Sequence, residues 1–403
     1  MEIYVARQPV FNLNKEIYGY ELLFRNGLQN AFPDIDGTSA TASLLANTFF
    51  SFGIDEITGS KPGLINFTTD LILQKTPLLF PREDFIIEVL EDVEPTPAVV
   101  EAVKEMKAKG YTIALDDFVF DQKQLPMIQQ AALIKFDIMA TPLDTLQDLV
   151  PEIQKAYGLT LLAEKVETYE EFEQAKAMGF TLFQGYFFSK PEVLSNKDIT
   201  TNQVTKLKII TLVSQEDPDL SALETLIKND VSISYKLLKF INSAYFARAN
   251  KMSTIKDAMT FLGTEELKKF IKIVTISELD EEKPHELIRL SMIRARICEL
   301  SGSVLNTRFS SEELFTLGLF SLMDAIMDKP MDQIVNTVAF SSKITRALSG
   351  KDPEFKKILG IISLFEKGQW DHKVFKAMSG SRLMKNLPEF YMDAVKMANA
   401  FYT

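Results

Sequence analysis

The stretch "TPAVVEAVKEMKAKGYTIALDDF", residues 96–118, holds the alternation that decides the fold. Val99, Val100, Val103 and Met106 recur at three- and four-residue steps, which places them on one face of a helix, and Gly110 supplies its C-terminal stop. The period then changes. "TIAL" is a short run of strand formers, and it ends in two adjacent carboxylates, Asp116 and Asp117. A helix feeding directly into a buried strand is half of a βαβ unit and points to a parallel sheet.

The same rhythm runs outward in both directions. Strand candidates are "YVARQPVF", "IYGYELLF", "GLINF", "FIIEVL", "TIALDD", "LIKFDI", "LTLLAEKV" and "TLFQGYFF". Eight strands alternating with helices predict a closed (β/α)8-type barrel, somewhat trimmed. The first two runs are joined only by "NLNKE", too short for a crossover helix, so they should pair as an antiparallel hairpin and give the barrel one reversed strand. After Pro191 the pattern changes. "EVLSNKDITTNQ" is polar, and segments such as "ISYKLLKFINSAYF", "EELKKFIKIVTISEL" and "ELFTLGLFSLMDAIM" are helical, so an all-α domain follows. The expected division is a barrel over 1–192 and a helical domain over 203–403.

Composition bounds the function. The chain has 403 residues, enough for two or three domains, and 55 acidic against 44 basic side chains give a formal net charge of −11. That balance argues against a nucleic-acid polymer as partner, because such binding rests on phosphate neutralisation. The lone cysteine, Cys298, cannot close an intramolecular disulfide, and its helical context reads as a small buried hydrophobe. No secretory signal is legible at "MEIYVARQPVF", and "LFTLGLFSLM" is about half the length of a bilayer crossing. A cytoplasmic protein with no membrane span is expected.

In a barrel, chemistry sits at the C-terminal ends of the strands. The polar residues near those ends are Glu21, Asn66, Glu88, Asp116, Asp117, Lys135, Glu164 and Gln184. Taken singly, Glu21 can be a solvated edge carboxylate and Asn66 a helix cap; as a set they put a polar group at nearly every strand, which a purely structural explanation does not account for. So many carboxylates at one rim repel one another unless cations lie among them. All-oxygen ligation by Glu, Asn and Asp suits Mg²⁺ or Mn²⁺, one or two ions, and adjacent aspartates can serve two neighbouring metals.

These residues resemble the EAL family of cyclic diguanylate phosphodiesterases. The namesake Glu-Ala-Leu is similar to Glu21-Leu22-Leu23 in "GYELLFR"; "INFT", "IIEVLED", "LDDF", "IKFD", "AEKVET" and "QGYFFSKP" resemble the later family motifs in order. The resemblance implies that Glu21, Asn66, Glu88 and Asp116 bind one metal, that Asp117 helps hold a second, that Lys135 and Glu164 orient the attacking water and that Gln184 completes the catalytic site. It implies that Arg25 holds a phosphate oxygen, that the substrate is cyclic di-GMP and that the product is the linear dinucleotide. Two positions depart from the family. The small, Gly/Ser-rich loop expected after Asp-Asp-Phe reads Val119-Phe120-Asp121-Gln122-Lys123, and the glycine of Ala-Glu-Gly is Lys165.

The second half resembles the HDOD domain, a relative of the HD phosphohydrolases without their metal site. "LIKNDVSISYKLLKFINSAYFA" and "MSTIKDAMTFLGTEELKKFI" fit its opening helices, while the expected His-Asp position reads Ser321-Leu322. The chain has two histidines, His285 and His372, both better read as surface or helix-start residues than as ligands. A regulatory or output module is implied, with a protein partner of unknown identity and a homodimer among the expected assemblies. The leading reading is a metal-dependent phosphodiesterase; a receptor that binds the dinucleotide without cleaving it, or a scaffold, is the alternative.

Overall fold

A computed structural model of the chain describes residues 3–26, 54–190, 201–214, 227, 231–246, 251–279, 283–338, 340–370, 372–378 and 380–402. Most of the polar stretch after Pro191 and most of "LSALETLIKND", also read as helical, lie outside the described residues, and the last three residues of the polar stretch open the helix Thr201–Val213. Two compact units are present: Met1–Phe188 with Leu364–Ala377, and Ser189–Ser363 with Met378–Thr403.

The first unit is a closed barrel of eight strands in sequence order. They are β1 (Ile3–Asn12), β2 (Ile17–Asn26), β3 (Gly63–Phe67), β4 (Phe85–Val89), β5 (Thr112–Leu115), β6 (Leu133–Asp137), β7 (Thr160–Glu164) and β8 (Leu182–Gln184). Strand β1 is antiparallel to both β2 and β8, and every other neighbouring pair is parallel. The reversed strand follows from the short connection. Asn12 Oδ1 accepts hydrogen bonds from the Asn14 and Glu16 amides at 2.9 and 3.0 Å, and Lys15 takes a left-handed φ of 60°, which turns the chain at once.

The helix expected in the opening stretch spans Pro97–Ala108. Thr96 caps it by accepting from the Val99 amide at 3.4 Å, Pro97 fits the first turn, and Gly110 follows at φ 91°. Val99, Ala102, Val103 and Met106 are its buried face. Each of the larger three contributes about 1.5–3 kcal/mol by leaving water. Val100 is only half buried, because the face that meets the sheet is narrower than the apolar pattern.

One layer of the barrel interior fixes where the polar rim must lie. Val10, Leu64, Ile86, Ala114, Leu133, Leu162 and Leu182 form a buried cluster with one residue from each strand except β2. Strand side chains alternate, so the residue two places farther along points into the same interior, one layer higher.

The second unit is helical. His285–Ser301 packs against Ser311–Phe320 and Arg382–Tyr402. Gly318 permits the first of these approaches: a β-carbon there would lie 2.5 Å from the Arg294 carbonyl oxygen. Arg296 ties the second, with Nε 2.6 Å from Asp393 Oδ2. Cys298 is buried. His285 opens its helix on the surface, and exposed His372, in the first unit, accepts from the Val374 amide at 3.3 Å where the helix Lys373–Met378 begins. Among the described residues no helix is long and apolar enough to cross a membrane.

Candidate active site

The apolar layer converts directly into the site. Two residues beyond Leu64, Ile86, Ala114, Leu133, Leu162 and Leu182 stand Asn66, Glu88, Asp116, Lys135, Glu164 and Gln184. On β2 the position below Glu21 is Gly19, which carries no side chain. All seven side chains therefore rise into one rim. On the reversed β1 the count runs backwards, from Val10 to Gln8.

Lys135 is the hub. Its ammonium lies 2.7 Å from Glu88 Oε1, 2.7 Å from Asp116 Oδ1 and 3.5 Å from Glu21 Oε2, and it also contacts Glu164 Oε1. Asn66 Nδ2 donates to Glu21 Oε1 at 3.1 Å, and Gln184 Nε2 donates to Glu21 Oε2 at 2.5 Å and to Gln8 Oε1 at 3.0 Å. Lys135 and Glu88 are fully buried, and Glu21, Glu164 and Gln184 nearly so.

Asp116 and Asp117 lie just past β5 rather than in it. The chain there is still pinned on both sides, since the Asp116 amide donates to the Val89 carbonyl and the Phe118 amide to the Lys135 carbonyl, each at 2.9 Å. Asp117 itself takes a left-handed φ of 38°, which no continuing strand adopts. Oxygens of Asp116, Asp117 and Glu164 lie within 4.8 Å of one another. Arg25 falls on β2, and its side chain is outside the described residues. Gln8 was not among the sequence candidates. Its only signal is the reversed strand, which makes Pro9 and Val10 precede the rim in space while following Gln8 in the chain.

Lys165 occupies a left-handed position, φ 58°, where a glycine is the unstrained choice. Its ammonium pairs with Asp137 and stands 3.9 Å from Asp117 Oδ2. Asp137 is fixed in turn, because its Oδ1 accepts from the Met139 and Ala140 amides at 2.8 and 3.1 Å. After Phe118, which packs edge-on against Phe136, Val119 and Phe120 are exposed, and Asp121 caps the short helix Gln122–Gln124.

The electrostatics follow from too many carboxylates around one ammonium. Burial pushes Glu164 up to about 8, against the pull of Lys135, and drives Glu88 well above the ordinary carboxylate range. Burial alone would lower Lys135, but Glu164, Glu21, Glu88 and Asp116 outweigh it and hold its proton well above the usual lysine range. Burial likewise opposes ionisation of Asp137, yet Lys165 and the two backbone amides keep its carboxyl below the ordinary value. Meanwhile Asn66 Oδ1, Glu88 Oε2 and Asp117 Oδ1 are shielded from solvent and accept no hydrogen bond. Orphaned oxygens among excess carboxylates form an all-oxygen donor set that fits a hard divalent cation. Beside them opens a cleft of about 370 Å³, whose walls include Glu21, Asp116, Asp117, Glu164, Lys165 and Gln184.

Family models match residues 28–191 to the EAL domain and residues 200–352 to the HDOD domain. Over 372 residues the chain is 36% identical to the cyclic di-GMP phosphodiesterase CdgJ of Vibrio cholerae, spanning 91% of this chain and 85% of that protein. The chain belongs to the EAL–HDOD family. Another relative is YuxH of Bacillus subtilis, an uncharacterised protein 35% identical over 380 residues, which is 92% of each chain. Among solved structures, the manganese and cyclic di-GMP complex of BlrP1 from Klebsiella pneumoniae is 20% identical, with a TM-score of 0.39 over 47% of this chain and 55% of that one. An EAL domain protein from Listeria monocytogenes gives 20% identity and a TM-score of 0.37 over 46% and 87%. The EAL match begins after β2, so the place of Glu21 in this EAL–HDOD protein rests on its contacts with Asn66, Gln184 and Lys135.

Proposed function

We propose that this chain is a divalent-metal-dependent phosphodiesterase that opens cyclic di-GMP to the linear dinucleotide, with Mg²⁺ or Mn²⁺ as the ion and the HDOD part as a regulatory or output module. The observation that carries this reading is the meeting of Glu21, Asn66, Glu88 and Asp116 around Lys135 at one barrel rim. Likeness to CdgJ along nearly the whole chain supports it. The expected cytoplasmic setting is part of the same reading.

Glu21, Asn66, Glu88 and Asp116 would hold one ion, and Asp117 would join Asp116 toward a second. When bound, such ions lower the pKa of a water molecule and screen the charge that builds on a phosphodiester. The protein's own groups do the rest. Lys135 fixes the carboxylates of Glu88, Asp116 and Glu164 in one geometry and adds positive charge beside the reacting phosphate. Glu164, paired with the Lys135 ammonium at the rim, takes in its ionised form the proton that the attacking water releases. Water oxygen bonds to phosphorus, the opposite ester P–O bond breaks with its electron pair left on the sugar oxygen, that oxygen takes a proton from solvent, and the ring opens to a phosphomonoester on one sugar and a hydroxyl on the next. Gln184, held by Gln8, keeps Glu21 oriented. Arg25, on β2, would contact a phosphate oxygen of the dinucleotide.

The test is turnover by the purified full chain with Mg²⁺ or Mn²⁺, followed by chromatography of the linear product, with Glu21→Ala expected to abolish it. No product with either metal defeats the enzyme reading. A second reading, a receptor that binds the dinucleotide without cleaving it, is favoured by one observation: the Lys165 ammonium already sits near Asp117, where a second ion would compete with it. Calorimetric binding without product would then be the outcome.

A further inference from the structure

The cleft beside the carboxylates has a wall from far along the sequence. Lys367 and Gln369, in the stretch Leu364–Ala377 that belongs to the barrel unit, line it together with Glu21, Asp116, Glu164 and Tyr186. Their turn is built to stay there. The Gly368 amide closes it on the Phe365 carbonyl at 3.0 Å, and Gln8 Nε2 donates to the Lys367 carbonyl at 3.0 Å. Gly368 has φ 62°, which favours glycine, and a β-carbon on it would lie 2.4 Å from Leu23 Cδ1, so the turn rests directly on the Glu21-Leu22-Leu23 strand. Gln8 also accepts from Gln184, so one side chain ties the turn to the rim.

The charge of the cleft gives the turn a purpose. Its walls carry Glu21, Asp116, Asp117, Glu164 and Glu167 against two lysines, Lys165 and Lys367. Lys165 is committed to Asp137. Among the described residues Lys367 has no carboxylate partner; the residue is half-buried and its ammonium lies 4.8 Å from the centroid of the Tyr186 ring. A cation held over an aromatic face and free of ion pairs keeps its charge for an incoming anion.

We propose that Lys367 is a substrate-binding residue, its ammonium receiving a phosphate of the cyclic dinucleotide while the carboxylate rim acts on the scissile one. This rests on the phosphodiesterase reading and adds a contact from outside the EAL-matched residues. A cyclic dinucleotide has two phosphodiesters. One must face the carboxylates, and of the two lysines lining the cleft Lys367 is the one not paired with Asp137 and open to the other phosphate.

The experiment uses the full chain, with Lys367→Ala and Lys367→Arg compared against wild type in Mn²⁺ for turnover and by calorimetry for dinucleotide binding. Lys367→Ala should raise KM and Kd about tenfold, the size of one charge-assisted hydrogen bond, with kcat changed by less than about twofold. Lys367→Arg should recover most of the loss, and the alanine variant should lose part of the salt dependence of binding. Wild type that binds and cleaves, with the alanine variant unchanged in KM and Kd, overturns this inference alone. Wild type that neither binds nor cleaves overturns the functional reading together with it.

Discussion

Replacing Lys135 by Met removes the ammonium and keeps the length of the side chain. In the metal-free protein Glu21, Glu88, Asp116 and Glu164 would then share a closed pocket with no compensating cation. Removing one partner from a buried ion pair destabilises by about 3–5 kcal/mol. Glu88 and Glu164 already bind protons more readily than ordinary carboxylates and can neutralise themselves, so we expect the lower end, about 3 kcal/mol. Trp370, the sole tryptophan, is buried in the barrel unit and reports on that unit alone. With an m value of about 3 kcal/mol per molar urea, its emission midpoint in EDTA should fall by about 1 M. Manganese at a hundred times its Kd adds about 2.7 kcal/mol to any form that binds it only when folded. The variant, with one positive charge fewer at the ligands, should bind more tightly and regain more than wild type does. An unchanged midpoint in EDTA, or a larger metal gain in wild type than in the variant, would refute the electrostatic account of the rim.

Other consequences are equally direct. Lys165→Gly relieves a left-handed lysine and loses a half-exposed ion pair, so unfolding should shift by less than about 1 kcal/mol, while calorimetry should detect tighter manganese binding or a second ion. Gly185→Ala would set a β-carbon 2.0 Å from the Val166 carbonyl oxygen at φ 150°; loss of at least about 2 kcal/mol from the Trp370 transition is expected, along with turnover, since Gln184 is the adjacent residue. Gly318→Ala should destabilise the helical unit by about 1–3 kcal/mol in urea unfolding followed by far-ultraviolet circular dichroism, because the Arg294 carbonyl leaves no room.

All eight strands, the reversed one included, were legible in the sequence, because short apolar runs rich in strand formers alternate with amphipathic helical segments, and because "NLNKE" has no length for a crossover. The rim was legible for the same reason: it is the apolar layer moved two residues. Where the strands end was less so. "TLFQGYFF" reads as one strand, yet β8 stops at Gln184, where Gly185 takes φ 150°, a backbone conformation outside the strand region. "TIALDD" stops at Leu115 because Asp117 turns left-handed. Gln8 and Lys367 reach the cleft through a reversed strand and a distant turn, and neither leaves a periodic trace. The helical unit was legible as helices, whereas their pairing depends on close approaches such as that at Gly318, which composition does not reveal.

Anomalous diffraction from crystals of the full chain grown with Mn²⁺ tests the central claim most directly. We expect a manganese peak about 2.0–2.5 Å from oxygens of Glu21, Asn66, Glu88 and Asp116 together. A peak bound elsewhere, or none at that rim under metal saturation, would contradict the account.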